Sequence, residues 1–274
     1  MKLNKEEEKK YRVDILKDIA VFCEENNISY YLAFGTLLGA AREKGMIKWD
    51  YDIDIMMPRP DYARFLSLYP LYGNSRYRVR DNSIDKKFLN RIAIVEDLQT
   101  INCTDRNMDV DNPLKRINIE VYPIDGASNI FLRYKVDITK TKIYEIILKC
   151  KNARFDNERS IYKNIAIYSI KSIFHFLGEQ SILDKISNIS LQHKFESSEY
   201  CAIVCVGKVG DKTYNNTSIF KEYSYLEYEG EKYRVPKDYD IWLKRKYGNY
   251  MFPPQEHEIE KAKKLKYFYD YETL

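Results

Sequence analysis

The stretch Gly35-Thr36-Leu37-Leu38-Gly39-Ala40-Ala41-Arg42, followed by Trp49-Asp50-Tyr51-Asp52-Ile53-Asp54-Ile55, decides the fold. Gly35-Thr36 predicts a turn, Leu37 to Glu43 a short helix, and Asp52 to Met56 a strand with acids on alternate positions. Strand side chains alternate between faces, so Asp50, Asp52 and Asp54 point to one side and Ile53 and Ile55 to the other, toward a core. Carboxylates crowded on one face repel each other. A divalent cation between their oxygens relieves this, and hard oxygen ligands suit Mg²⁺ or Mn²⁺. A glycine and a small hydroxyl residue before a helix also expose backbone N–H groups to an anion, helped by the helix dipole. Together these features point to a metal site at a phosphate-handling centre. A third acid from a neighbouring strand would complete it. Glu120, in Ile119-Glu120-Val121-Tyr122-Pro123, is the best candidate because it is an acid among apolar neighbours on a strand-like segment.

Outward from this block, residues 5–27 read as an amphipathic helix with Ile15, Leu16, Ile19, Phe22 and Cys23 on one stripe. Tyr30 to Phe34 reads as a short strand. Pro58 to Pro60 stops the acidic strand, and Asp61 to Leu68 begins a helix. Tyr77–Arg80, Phe88–Val95, Gln99–Cys103 and Ile117–Tyr122 are strand-like, with Pro123 ending the last. Residues 104–115 read as a solvated polar loop, since Asp105, Asp109 and Asp111 lack the glycine and terminal Glu of a calcium loop. Helical spacing follows in Ile130–Cys150, Glu158–Phe176 and Glu179–Phe195. Tyr200–Val206 is strand-like, and residues 219–235 read as a hairpin around Glu229-Gly230. Lys237–Tyr247 is a final helix, and Pro253-Pro254 ends the ordered core. The order predicts a catalytic core over 1–127, a helical segment over 128–197, and a C-terminal part over 198–274 packing back on the core. The fold class is α+β.

The chain has 274 residues, 45% of them hydrophobic, enough for a sizeable core. A net charge of +4 with 31% charged residues is too weak to imply nucleic acid. Five scattered cysteines argue against a disulfide framework, and His175, His193 and His257 lie too far apart in sequence for a His-based metal site. The beginning of the chain lacks the apolar core of a secretory signal, and no apolar run is long enough to span a membrane, so a cytoplasmic location is expected.

The run Gly35-Thr36-Leu37-Leu38-Gly39 with Arg42, then Gly45-Met46-Ile47-Lys48-Trp49-Asp50-Tyr51-Asp52-Ile53-Asp54, resembles the LicD family of bacterial phosphocholine transferases, which is similar to the fukutin group. Ile119 to Asp125, Val235 to Tyr239 and Tyr247 to Pro254 resemble further blocks of that family. In this chain Tyr51 stands where another acid is often found, Lys48 where Pro is common, and Glu120 where Asp is common. The resemblance implies a nucleotidyltransferase-like mixed sheet with flanking helices and a helical insertion or second lobe. It implies Gly35-Thr36 beside a diphosphate or triphosphate, and Asp52, Asp54 and Glu120 around the metal. It also implies a CDP-activated alcohol donor and a glycan acceptor, in lipopolysaccharide, teichoic acid or capsule biosynthesis. The donor's diphosphate would be bridged by Mg²⁺ on Asp52 and Asp54, and Glu120 or Asp50 would accept the acceptor's proton. Residues 37–51 form a longer spacer than most of the superfamily carries. Its Arg42, Trp49 and Lys48 are candidates for substrate contact. The alternative is that Arg42 pairs with a helix acid and Trp49 belongs to the core, or, for Lys48, that it faces water. Other readings of the same motifs are a nucleotidyltransferase that releases pyrophosphate, a CDP-ribitol or CDP-glycerol phosphotransferase, and a binding module without activity.

Residues 130–175 carry ten Lys/Arg against four acids, a local +6, with Ile165, Tyr168, Ile173 and Phe176 among them. The simpler reading is a solvated helix face with a core stripe. The other is a peripheral contact with the anionic inner membrane leaflet, where a lipid-linked acceptor would lie.

Overall fold

A computed structural model describes residues 2–104, 112–153, 155–156, 159–257, 259–260 and 271–274. The polar loop read at 104–115 falls largely outside them. The fold is α+β, with helices and a mixed sheet. The chain forms two compact units, one made of Met1–Ile124 and Thr217–Leu274, the other of Asp125–Asn216.

In the first unit, helix α1 (Lys5–Glu25) opens on a capping box. The Asn4 side chain accepts from the Glu7 backbone N–H, and the Glu7 carboxylate accepts from the Asn4 N–H. Its buried stripe is the one the spacing predicts: Ile15, Leu16, Ile19, Phe22 and Cys23. Strand β1 is only Tyr31–Leu32, because helix α2 (Phe34–Arg42) begins earlier than expected. Gly35 and Thr36 therefore lie inside the first turn of α2, not in a turn before it. The chain reverses at Phe34 itself, whose φ of +43° is in the left-handed region.

Strand β2 (Asp54–Pro58) starts two residues later than predicted. Its partner β1 pairs Leu32 with Ile55 and contributes one more bond, from Ala33 N–H to the Asp54 carbonyl, before the chain turns into α2. Residues 50–53 have no neighbour on that side to hold them in the ladder. Asp54 alone of the three aspartates stands on the strand; Asp50 and Asp52 precede it. Helix α3 (Arg59–Tyr72) starts directly after Pro58, with Pro60 tolerated in its first turn. Next come β3 (Tyr77–Arg80), β4 (Ala93–Asp97), β5 (Thr100–Asn102) and β6 (Asn118–Ala127). Strand β4 lies five residues later than the predicted start at Phe88, and Phe88 is buried beneath the Arg80 guanidinium.

The strand order within this unit is β1-β2-β6-β4-β3, with β2 and β6 parallel and the other pairs antiparallel. Pro123 does not end β6. The Glu120 N–H bonds to the Ile53 carbonyl, so by the two-residue alternation Pro123 has its missing N–H on the side away from β2. On that side β4 has already ended, its last pair being Ala93 with Val121.

The second unit contains the end of β6, helices α4 (Phe131–Asn152), α5 (Ile161–Ile173) and α6 (Glu179–Ser190), β7 (Tyr200–Ala202), the short α7 (Gly207–Gly210) and β8 (Asn215–Asn216). Its core packs Ala127, Tyr134, Ile138, Ile189, Val204 and Tyr214. Tyr214 stacks flat on Tyr200 at 4.8 Å and donates to the Ser128 carbonyl at 2.9 Å. Residues 198–216, assigned to the C-terminal part from sequence, fall in this unit.

The chain then returns to the first unit. The predicted hairpin is present as β9 (Tyr223–Tyr228) and β10 (Glu231–Pro236). Its two-residue turn has φ of +48° at Glu229 and +83° at Gly230, a pairing that matches strand twist. Helix α8 (Tyr239–Tyr247) follows. Pro253-Pro254 does not end the ordered structure, because β11 (Tyr271–Thr273) pairs with β5 and the Leu3 N–H bonds to the Tyr271 carbonyl. Among the described residues no helix is long and apolar enough to cross a membrane.

Candidate active site

Asp54 and Glu120 hold matching positions on the adjacent parallel strands β2 and β6. Paired positions of neighbouring strands sit about 4.8 Å apart with side chains on one face. Asp54 is only 8% exposed, and Glu120 is half-buried. Thr36 is buried in the first turn of α2, and its Oγ1 accepts the Asp54 N–H at 2.8 Å. The Thr36 hydroxyl thus ties α2 to the first residue of the acidic strand.

Asp50 is placed by contact with Gly35. A Cβ built on Gly35 would stand 2.0 Å from Asp50 Oδ2 and 3.8 Å from Oδ1. The carboxylate therefore lies directly on the glycine backbone at the N-terminal turn of α2, where the helix dipole favours a negative charge. Phe34, strained at the same turn, meets Tyr122 edge-to-face at 4.9 Å, and the Lys246 ammonium stands 4.6 Å from its ring centre. Left-handed backbone at a non-glycine residue costs roughly 1–3 kcal/mol and clusters at working sites.

Three tyrosines surround the acids. Tyr122 donates its hydroxyl to Glu120 Oε2. Burial holds its pKa well above the usual value, and the charges of Asp54, Glu120 and Asp52 push it further. The Tyr228 hydroxyl is raised by burial, then by Glu229, Asp50, Asp54 and Asp52, and has no hydrogen-bond partner among the described residues. Tyr247, although 39% exposed, is raised by desolvation of its hydroxyl, then by Asp54, Asp50 and Asp52. Asp52 and Asp54 thus act on side chains from β6, β9 and α8, and Asp50 on those from β9 and α8. Sequence reading gave these tyrosines no role. The available signals were the position of Tyr122 two residues beyond Glu120 on one strand face, and the placement of Tyr228 just before the Glu229-Gly230 turn.

The spacer after α2 is fastened from the hairpin. Gly39 lies against the Gly45 carbonyl, which a Cβ at Gly39 would approach to 2.3 Å. Glu229 Oε1 accepts the Met46 N–H at 2.8 Å, and the Glu229 N–H bonds to the Lys44 carbonyl at 3.0 Å. Arg42, a candidate substrate contact, has partners within the chain. It bonds to Glu43 Oε1 through Nη2 at 2.7 Å and to the Tyr250 carbonyl at 3.3 Å. Trp49 is half-buried under the Arg42 guanidinium, 5.8 Å from it, and lies outside the fully buried core. Lys48 is exposed.

The chemistry of Asp52, Asp54 and Glu120, all carboxylate oxygen, fits a hard divalent cation. Among the described residues no three Asp, Glu, His or Cys side chains stand at coordinating spacing, so a cation would have to draw these acids together.

The site is thus an acidic strand start beside the first turn of a helix, with a second acid in register on the neighbouring strand. Residues 27–111 match the model described as LicD/FKTN/FKRP, nucleotidyltransferase domain. It is similar to the lipopolysaccharide cholinephosphotransferase LicD of Haemophilus influenzae, with 27% identity over 270 residues covering 95% of this chain and 98% of that protein. It is also 37% identical over 70 residues to an uncharacterized protein of Rickettsia typhi, covering 26% of this chain and 23% of that one.

Proposed function

We propose that this chain is a metal-dependent phosphotransferase that moves phosphocholine from a CDP-linked donor to a hydroxyl of a cell-surface glycan or its lipid-linked precursor, on the cytoplasmic side. The observation that carries the reading is the register match of Asp54 with Glu120, beside the α2 start that holds Asp50 against Gly35. Similarity to a lipopolysaccharide cholinephosphotransferase along nearly the whole of both chains supports it.

Asp52, Asp54 and Glu120 would hold Mg²⁺ or Mn²⁺, which when bound offsets the charge of the diphosphate and of the leaving CMP. A carboxylate that binds a cation is a weak base. In this reading the proton of the acceptor hydroxyl passes to Asp50, at Oδ1, the oxygen turned away from Gly35. Tyr122 keeps the Glu120 carboxylate oriented through its hydroxyl. Lys48, exposed on the spacer, meets the donor's phosphates, while Arg42 and Trp49 hold the spacer's shape.

The nucleotidyltransferase description of the matched domain favours one other reading, attack on the α-phosphorus of a nucleoside triphosphate. Product analysis separates the two. Incubation with CDP-choline, a glycan acceptor and Mg²⁺ should release CMP, and CTP under the same conditions should give no pyrophosphate. Pyrophosphate without CMP would establish the second reading. CDP-ribitol and CDP-glycerol, run in parallel, report which alcohol is carried.

A further inference from the structure

We propose that the outward faces of α4 and α5 dock on an anionic lipid bilayer. In α5 the one buried residue is Asn164, a polar side chain that donates to the Asp156 carbonyl at 2.8 Å. The apolar residues expected to form a core stripe face outward: Ile165 is 57% exposed, Ile173 63% and Phe176 69%. Ile161 and Tyr162 at the start of the helix are 66% and 81% exposed. On α4 the core side is taken by Tyr134, Ile138 and Leu148, which leaves Leu132, Val136 and Ile143 outward at four- and seven-residue spacing. The Lys151 ammonium reaches the Phe174 and His175 carbonyls just past α5, so the two helices are fastened at that end. An apolar patch of this extent on a folded unit marks an interaction surface.

Charge selects the partner. Residues 130–175 carry +6, while the whole chain carries +4, which leaves the remainder net acidic. Lys149 on α4 and Lys163 on α5 are exposed, and the Lys171 ammonium lies over the Tyr168 ring. A second copy would set the same net basic segment against it, even with Lys135 and Lys142 paired to Asp211. An anionic bilayer accepts both features: apolar side chains enter the headgroup boundary, and each basic residue near the surface strengthens binding about fivefold. The inference stands independently of the reading of the active site.

The test is co-sedimentation of the full chain with large vesicles of phosphatidylcholine, with and without phosphatidylglycerol. The expected result is pelleting at low salt with the anionic vesicles only, reversed by high salt. Ile161→Ser with Ile165→Ser, and separately Lys149→Glu with Lys163→Glu, should each lower partitioning by about tenfold or more. The melting temperature should hold in both, because all four side chains are exposed. Absence of pelleting at low salt overturns the proposal. So does pelleting that neither variant weakens, or a self-association in the absence of vesicles that the isoleucine variant abolishes.

Discussion

The carboxylate of Asp50 occupies the space that a side chain at Gly35 would need, with Oδ2 2.0 Å from the position of a Cβ there. Gly35 is thus required for its lack of a side chain, at the point where α2 begins and the acids gather. Gly35→Ala should push the Asp50 carboxylate away at a small cost in stability, about 1 kcal/mol or less, because the atom in the way is the end of a half-buried side chain. Denaturant unfolding should show this, together with a larger fractional loss of transferase activity. Unchanged stability and activity would mean that Asp50 has room to move.

Glu229 joins the hairpin tip to the spacer by accepting the Met46 N–H. Glu229→Ala should leave that N–H without its acceptor and lower stability by about 1–2 kcal/mol. Glu229→Gln keeps an oxygen acceptor and should recover most of the loss. If both variants lose equally, the charge matters more than the hydrogen bond, through the 3.3 Å contact with Lys9.

Tyrosine ionisation supplies a pH prediction with a definite sign. Burial pushes the Tyr31 hydroxyl up to about 12, and Tyr122 is raised by burial and by Asp54. A native pKa above the unfolded value of about 10 means that the unfolded chain loses its protons first as pH rises. The stability tied to the neutral hydroxyls is complete below pH ~10 and is lost as pH climbs through the native values. Absorbance titration of tyrosinate should therefore lag in native protein relative to protein in denaturant. The melting temperature should begin to fall above pH ~10, and coincident titration curves would contradict the burial of these hydroxyls.

Much of this was legible in the sequence, and the gaps have physical causes. Periodicity located α1, with its buried stripe from Ile15 to Cys23, and turn chemistry located the Glu229-Gly230 hairpin. That Asp54 and Glu120 belong together was suggested by an acid on each of two strand-like segments, although their shared register needs the fold. Of the three aspartates only Asp54 stands on the strand, because β1 stops at Leu32; Asp50 and Asp52 precede β2, yet their charges act with that of Asp54 on Tyr228 and Tyr247. Pro123 misled because a proline ends a strand only where its missing N–H faces a partner. Tyr228 and Tyr247 were invisible because long-range packing brings them beside the acids. The α5 stripe has helical period in the sequence, but periodicity carries no information about whether a face meets a core or an outside partner.

The most direct test of the central claim is CMP release from CDP-choline with a glycan acceptor and Mg²⁺, comparing the natural chain with Asp54→Asn and Glu120→Gln. Both substitutions keep shape and remove charge, so melting temperatures should stay within a few degrees. Turnover should fall by about 10²–10³, the size of losing one charge-stabilising group at a reacting centre, and chelation of the divalent cation should abolish it in the natural chain. Undiminished CMP release in Asp54→Asn, or full turnover after chelation, would contradict the account.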